Sequence, residues 1–118
     1  MPVATTIRLN AAERLLCVEF DDGRRALLPA EYLRVESPSA EVQGHGPGQK
    51  RIVPGKRSVE IVGIEPVGNY AVRLLFSDRH DTGIYSWEYL YELGQQQELR
   101  WDAYLAALHE RGLSRDPG

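Results

Sequence analysis

The fold is decided by the stretch YAVRLLF, residues 70–76, which is the most apolar segment of the chain. Its apolar side chains occupy both odd-numbered and even-numbered positions, as in a strand that is covered on both faces. Turn signals flank it, with Pro66–Asn69 before the stretch and Asp78–Gly83 after it. We therefore predict that this segment is the central strand of a sheet.

Shorter strand patterns lie on both sides of this segment. Leu16, Val18 and Phe20 recur at every second position, and Asp21-Asp22-Gly23 then supplies the turn of a hairpin. The strands that such patterns predict span residues 5–10, 15–20, 25–28, 58–64 and 84–85.

Three helices are predicted from capping residues and apolar spacing. Pro29 suits the start of a short helical turn over residues 30–33. Ser86 suits the cap of a second helix, which Gly94 closes. A last amphipathic helix spans about residues 97–111 and ends at Gly112. Its apolar stripe consists of Trp101, Tyr104, Leu105 and Leu108, and we expect Trp101, like Trp87 in the second helix, to be a core anchor.

Because strands come first and helices follow, the order of elements predicts an α+β fold in a single domain over residues 1–118. We expect small antiparallel sheets or hairpins packed with a short helix and two C-terminal helices.

The segment from Arg34 to Arg57 departs from these patterns. It contains four glycines, three prolines and almost no apolar anchors, so we predict a long flexible loop, either passive or used in binding. Lys50-Arg51 and Lys56-Arg57 concentrate four cations there. They favour either a solvated loop or a docking patch for an acidic partner or RNA.

Composition restricts the classes of function. The net charge of −3 and the pI near 5.6 argue against nucleic acid as the main partner. No apolar run is long enough to cross a membrane, and residues 1–10 have no apolar core of a secretory signal. A single cysteine, Cys17, fits a reducing compartment and is interpreted as a structural thiol. We expect a cytoplasmic protein.

The histidines are the main candidates for chemistry. His109 is interpreted as a surface residue, and His45 lies in a glycine-rich turn. His80 is expected to hydrogen-bond through its ring to Asp78, Asp81 or a backbone group. A weak metal site is assembled from Glu41, His45, His80 and Asp81 only if the loop folds back. Because no serine or cysteine is predicted beside a base, we expect no enzymatic activity.

Two segments resemble a known family. They are Leu33-Arg34 followed by Ser37–Glu41, and Pro66–Val72 followed by His80–Leu90. Together they resemble the gamma-butyrobetaine hydroxylase-like N-terminal domain, in particular its free-standing bacterial members, a domain of unknown function. The resemblance covers roughly residues 5–93 and leaves the last helix, residues 97–112, outside it.

The resemblance implies a metal site that this sequence has lost. In the oxygenases that carry the domain, a Cys-Pro-Cys-x-x-Cys stretch and a later histidine hold a structural zinc ion. These positions correspond here to Ser37, Ser39, Val42 and His80, so only the histidine is kept. We therefore expect no cofactor, with iron or zinc at His80 as the alternative. Arg79 replaces the glycine that commonly precedes the histidine.

The resemblance also implies a kind of function. A chain of 118 residues is too short to contain the oxygenase catalytic domain as well. Other members of the family that the chain resembles are fused to P-loop ATPases of iron–sulfur cluster assembly. This architecture favours a non-catalytic protein-interaction or accessory module in iron–sulfur or metal handling, with a protein partner. The alternative is a metal-binding protein that uses His80 with loop residues.

Overall fold

Two three-stranded antiparallel sheets and four helices make up the part of the chain that the computed structural model describes, residues 2–44, 48 and 50–117. The first sheet has the order β1 (Ala4–Asn10), β2 (Leu15–Phe20), β3 (Arg25–Pro29). The second has the order β4 (Ile61–Val67), β5 (Ala71–Phe76), β6 (Ile84–Ser86). The helices are α1 (Ala30–Val35), α2 (Ala40–Gln43), α3 (Trp87–Gln95) and α4 (Gln97–Glu110). The predicted α+β fold is confirmed.

Strand β5 is the central strand of the second sheet, as its sequence predicts. Val72, Leu74 and Phe76 are buried on its inner face. Its neighbour β4 begins at Ile61, three residues later than expected, and includes Pro66, which the sequence placed in a turn. Because β4 lies at the edge of the sheet, it is the kind of strand in which a proline is tolerated.

The inner faces of both sheets contribute to one apolar core. Leu16 and Leu28 from the first sheet share it with Leu74 from the second, and Leu90 and Leu93 of α3 complete it. All five side chains are fully buried. The two sheets and α3 therefore stabilise one another by excluding water from a common apolar volume.

Helix α3 begins as predicted but does not end at Gly94. The Ser86 hydroxyl accepts a hydrogen bond from the Tyr89 N–H at 3.0 Å and so caps the helix. The helix continues to Gln95, and a Cβ added to Gly94 would lie only 2.9 Å from Ala26 Cβ on β3. This glycine permits close packing of the helix on the sheet instead of ending the helix.

Four tyrosine hydroxyls form hydrogen bonds between segments that are not joined by a sheet. Each donates a hydrogen bond to a main-chain carbonyl on another element: Tyr32 to Leu93, Tyr85 to Leu33, Tyr89 to Glu36, and Tyr104 to Val53. Burial raises the pKa of all four, to about 12 for Tyr89 and Tyr104. We call these four residues the tyrosine clamps.

The tryptophans lie at the edge of the core, half-buried, and pack against it. The Trp101 ring lies 6.3 Å from the Tyr32 ring, edge to face, and 5.2 Å from the Tyr104 ring, centroid to centroid. They are therefore supporting residues of the core and not its fully buried anchors.

The segment predicted as a loop is more structured at its start than its composition suggests. Residues 34–35 belong to α1 and 40–43 form α2, and Val35 and Val42 are buried, so the expectation of almost no apolar anchors is wrong. Residues 45–47 and 49, among them His45, lie outside the described part. Flexibility of the remainder stays a prediction.

Of the four cations at positions 50, 51, 56 and 57, three are bound to carboxylates of the chain itself. Lys50 contacts Glu36 at 2.8 Å, Lys56 contacts Asp78 at 2.7 Å, and Arg57 contacts Asp116 at 2.5 Å. These pairs neutralise most of the charge that the sequence suggested for a basic docking patch.

The turn between β5 and β6 contains a strained residue. Arg79 adopts a φ of +72°, in the left-handed region where a Cβ crowds the main chain and glycine does not. The N–H of Arg79 donates to the Phe76 carbonyl at 3.0 Å, and the Phe76 N–H donates to the His80 carbonyl at 3.0 Å, so the turn holds this conformation.

Substituting Arg79→Gly is expected to raise the free energy of unfolding by up to about 1 kcal/mol. Relief of the left-handed conformation, worth about 1–2 kcal/mol, exceeds the entropy of glycine in the unfolded chain, about 0.5–1 kcal/mol. Urea unfolding measures the difference. Arg79→Ala is the matched control, because it removes the same exposed side chain but keeps the Cβ. An equal gain in both variants would show that the conformation is not the cause.

Candidate functional site

Polar side chains from two distant segments meet at the positions to which the resemblance assigns zinc ligands. One segment runs from the end of α1 to α2 and supplies Ser37, Ser39 and Glu41. The other is the β5–β6 turn, which supplies His80 and Thr82. These five residues form the polar cluster.

His80 is the centre of the polar cluster. Its side chain is only 2% exposed, Nε2 lies 2.9 Å from Ser37 Oγ, and Nδ1 lies 3.3 Å from Glu41 Oε2. The expectation that Asp78, Asp81 or a backbone group would hold the ring is wrong. Asp78 accepts a hydrogen bond from the His80 main-chain N–H at 3.1 Å, and Asp81 is exposed. The ring therefore joins two segments of the chain and does not simply serve its own turn.

A second layer of hydrogen bonds surrounds this pair. Ser39 Oγ lies 2.8 Å from Thr82 Oγ1, and Thr82 Oγ1 donates to Glu41 Oε1 at 3.1 Å. Ser39 also caps α2, because its hydroxyl accepts from the Glu41 N–H at 3.2 Å. Thr82 had no assigned role in the sequence, since a threonine in a turn carries no signal that it faces a residue about forty positions away.

The polar cluster is closely packed and leaves no space at Ser37. A Cβ added to Gly83 would lie 2.6 Å from Ser37 Oγ and 3.0 Å from the Tyr85 ring. Val42 is 1% exposed. Glycine at position 83 is therefore required for the turn to approach the serine.

The contacts of His80 have the order of a hydrolytic triad. A serine hydroxyl lies at Nε2 and a carboxylate at Nδ1, as in enzymes that activate a serine nucleophile. The expectation that no serine lies beside a base is thus wrong. However, Ser37 is 0% exposed and is covered by Gly83 and Tyr85, so no substrate carbonyl can reach its hydroxyl in this conformation.

Comparison with known proteins identifies the family. The sequence profile described as "Gamma-butyrobetaine hydroxylase-like, N-terminal" matches residues 7–91. The chain belongs to this family. A search of the curated proteins finds no match. In the part of the chain that the structure describes, none of the helices combines the length and apolar character needed to span a membrane.

Solved structures extend the similarity beyond the matched residues. One protein studied by NMR in solution is 46% identical, covers 100% of this chain and 93% of its own length, and has a TM-score of 0.87. A second is 48% identical, covers 99% and 87%, and has a TM-score of 0.86. A crystal structure from Acidithiobacillus ferrooxidans, of a DUF971-family protein with unknown function, is 43% identical, covers 77% and 91%, and has a TM-score of 0.66.

The donor set of the polar cluster does not fit the zinc ion that the resemblance implies. Zinc takes three or four thiolate, imidazole or carboxylate ligands, whereas Ser37 and Ser39 offer neutral hydroxyls that already have partners. Among the described residues, no group of three or more His, Cys, Asp or Glu is placed to hold a metal. Of the four ligands that the sequence suggested, the structure brings together only His80 and Glu41, while His45 lies outside the described residues.

An ion-pair group anchors the polar cluster from the other side of the turn. Asp78 contacts Arg34 Nε at 2.8 Å and Lys56 Nζ at 2.7 Å. Burial alone would raise the pKa of Asp78, but the hydrogen bonds from Lys56 and Arg34 lower it to about 2. For His80, burial lowers the pKa, the Arg34 charge lowers it further, and Glu41 and Asp78 oppose them. The imidazole is therefore neutral at pH 7.

We expect the purified protein to contain no stoichiometric zinc or iron. A structural zinc ion contributes about 10–16 kcal/mol to the folding of small domains, so its removal is easily seen. EDTA should leave the melting temperature unchanged, and added Zn(II) or Fe(II) should give no tight binding by calorimetry. Sub-micromolar metal binding that disappears in His80→Ala would contradict this expectation.

Stability is expected to fall as pH decreases from neutral, because the pKa of folded His80 is lowered. Below about pH 6.5, the unfolded chain takes up a proton that folded His80 does not, so the free energy of unfolding decreases. In His80→Gln this contribution is absent, and the decrease between about pH 7.5 and about pH 5.5 should be smaller. Urea unfolding at each pH measures it.

His109→Gln is the matched control for this experiment, since His109 is exposed on α4. Its decrease should equal that of the wild type. If His80→Gln also keeps the full decrease, protonation of His80 is not its source.

Proposed function

We propose that this chain is a non-catalytic accessory module that binds another protein. The observation that carries the non-catalytic part is the complete burial of Ser37, the one serine that contacts a histidine in the polar cluster. The polar groups of this cluster are used in hydrogen bonds between two chain segments. They stabilise the surface around them and do not face a substrate.

Two surfaces support the binding of a protein partner. On the outer face of the second sheet, Leu75 lies over Gly63, and neighbouring Ile84 is 47% exposed. The second surface is a groove of about 700 Å³ between the start of α1 and α4, lined in part by Tyr32 and Trp101. Aromatic residues at a groove are enriched where proteins contact one another.

The proposed partner is a cytoplasmic protein, and iron–sulfur cluster assembly is the proposed setting. This part of the proposal rests on the resemblance to domains fused to P-loop ATPases of that pathway, which is an analogy of architecture. The module itself is proposed to hold no cofactor.

A metal-binding function is the second candidate, and one contact favours it. His80 Nδ1 and Glu41 Oε2 lie 3.3 Å apart, so two of the suggested ligands already converge. Binding of iron or zinc there needs at least one more ligand. The metal titration described above separates this candidate from the interaction module.

Affinity capture from the native lysate tests the interaction module, with surface variants to locate the contact. We expect the wild type to retain one defined protein in near-equimolar amount. Ile84→Asp or Glu98→Lys, which alter the outer sheet face and the groove, should reduce that amount about ten-fold, a loss of about 1.4 kcal/mol.

Glu88→Gln on the exposed side of α3 is the control and should retain the partner. If the wild type captures nothing above a resin control, or if all variants capture the protein equally, the proposed function is contradicted.

A further inference from the structure

The segment from Ser114 to Asp116 lies against the domain in the manner of a bound peptide. The Gly55 N–H donates to the Ser114 carbonyl at 2.9 Å, and the Arg57 N–H donates to the Arg115 carbonyl at 3.0 Å. Main-chain bonds of this kind are how proteins add an extended peptide to an exposed backbone. We call this segment the tail.

Arg115 anchors the tail by two interactions. Its guanidinium donates from Nε to Glu31 Oε2 at 2.8 Å and from Nη2 to Glu31 Oε1 at 2.6 Å. Its Cζ also lies 5.1 Å from the centroid of the Trp101 ring. A bidentate carboxylate together with an aromatic face is a specific site for arginine, because lysine cannot form the fork.

The acceptor side of this site is fixed by the core, whereas the tail that supplies the arginine is a separate segment. Glu31 is 7% exposed on α1, and Trp101 packs against Tyr32 and Tyr104. The other side-chain ion pair of the tail, between Asp116 and Arg57, is exposed and contributes little. The acceptor groups of the arginine site therefore belong to the packed domain, and their occupant, Arg115, comes from the tail.

The groove also exceeds what Arg115 needs. A volume of about 700 Å³ remains beside the guanidinium. Glu98 and Asp102 line it together with Glu31, so the acidic residues outnumber Arg115, the one cation among the lining residues that the structure describes. This charge is complementary to a basic segment and opposes an acidic one.

We propose that the groove between Glu31 and Trp101 is an arginine-anchored peptide site, which the tail fills in the isolated chain. A basic, arginine-bearing segment of the protein partner takes the place of Arg115. Buried Glu31 keeps a guanidinium both when the tail is bound and when the partner is bound, so neither state has the strongly unfavourable unpaired charge. The inference rests on the proposed interaction function and names its surface and the chemistry of its partner.

Two synthetic peptides test the site on the full chain. One, acetylated and amidated, has the tail sequence LSRDPG of residues 113–118, and the other has alanine in place of its arginine. Binding is followed by NMR at the indole N–H of Trp101, with the indole of Trp87, which does not line the groove, as an internal control. Arg115→Ala should bind the arginine peptide about ten-fold more tightly than the wild type, because the built-in competitor is removed.

Further variants locate the interaction. Glu31→Gln in the Arg115→Ala chain should weaken binding about ten-fold, and Asp102→Asn should weaken it less. Glu110→Gln, at the other end of α4, should have no effect. If Arg115→Ala does not fold, Arg115→Lys replaces it, since it keeps the charge and loses the fork, and it should also bind more tightly than the wild type.

The inference is overturned if the folded variant shows no shift of Trp101 at millimolar peptide, or equal shifts with both peptides. It is also overturned if the wild type is a dimer that Arg115→Ala dissociates, because a second copy would then supply the tail. Capture of a partner that Glu31→Gln and Glu98→Lys retain but Ile84→Asp loses would reject this groove and keep the proposed function. Failure to capture any partner would reject the proposed function itself.

Discussion

The burial of two carboxylates on and beside α1 is the constraint on which the arrangement of the outer segments depends. Glu31 is 7% exposed and Glu36 is 3% exposed, and a buried charge is tolerated only when it is paired. Each cation comes from a distant part of the chain: Arg115 pairs with Glu31, and Lys50 and Arg100 pair with Glu36. The loop before β4, helix α4 and the tail are therefore all positioned by the same short helix. Removing either carboxylate would release segments that share no sheet and little of the main core.

The parts of this fold that the sequence predicts correctly are those decided by neighbours along the chain. Alternation identifies β5, and the Ser86 cap identifies the start of α3, because both signals act within a few residues. The errors have a different origin. Gly94 has the sequence signal of a helix end, but its role is decided by the contact with Ala26, which depends on tertiary packing. Pro66 has the sequence signal of a turn, but its place in a strand depends on the order of the strands. Such features arise only when separate elements meet.

The polar cluster shows the same difference between features decided by sequence neighbours and features that arise when separate elements meet. The family resemblance placed Ser37, Ser39 and His80 in one site, and the structure brings them together. It could not indicate that Thr82 would bind Ser39 while Asp81 would face away, since both residues are ordinary in a turn. The cluster also shows how neutral and charged polar groups can fill the positions to which the resemblance assigns metal ligands. A serine hydroxyl both donates and accepts, so hydroxyls, an imidazole and a carboxylate satisfy one another, and Val42 needs only to fill space.

The tyrosine clamps have a consequence for covalent chemistry. In the folded chain, the hydroxyls of Tyr32, Tyr85, Tyr89 and Tyr104 are bonded to carbonyl oxygens inside the domain. Kinases, sulfotransferases and nitrating reagents all need a phenol that solvent can reach, whereas Tyr70 is 57% exposed and remains available. Of the four, Tyr32, Tyr85 and Tyr104 are at most 5% exposed, so a phosphate, sulfate or nitro group on one of these three would record an event before folding or during unfolding. Modification of these buried residues would therefore show that the molecule was unfolded when it was modified.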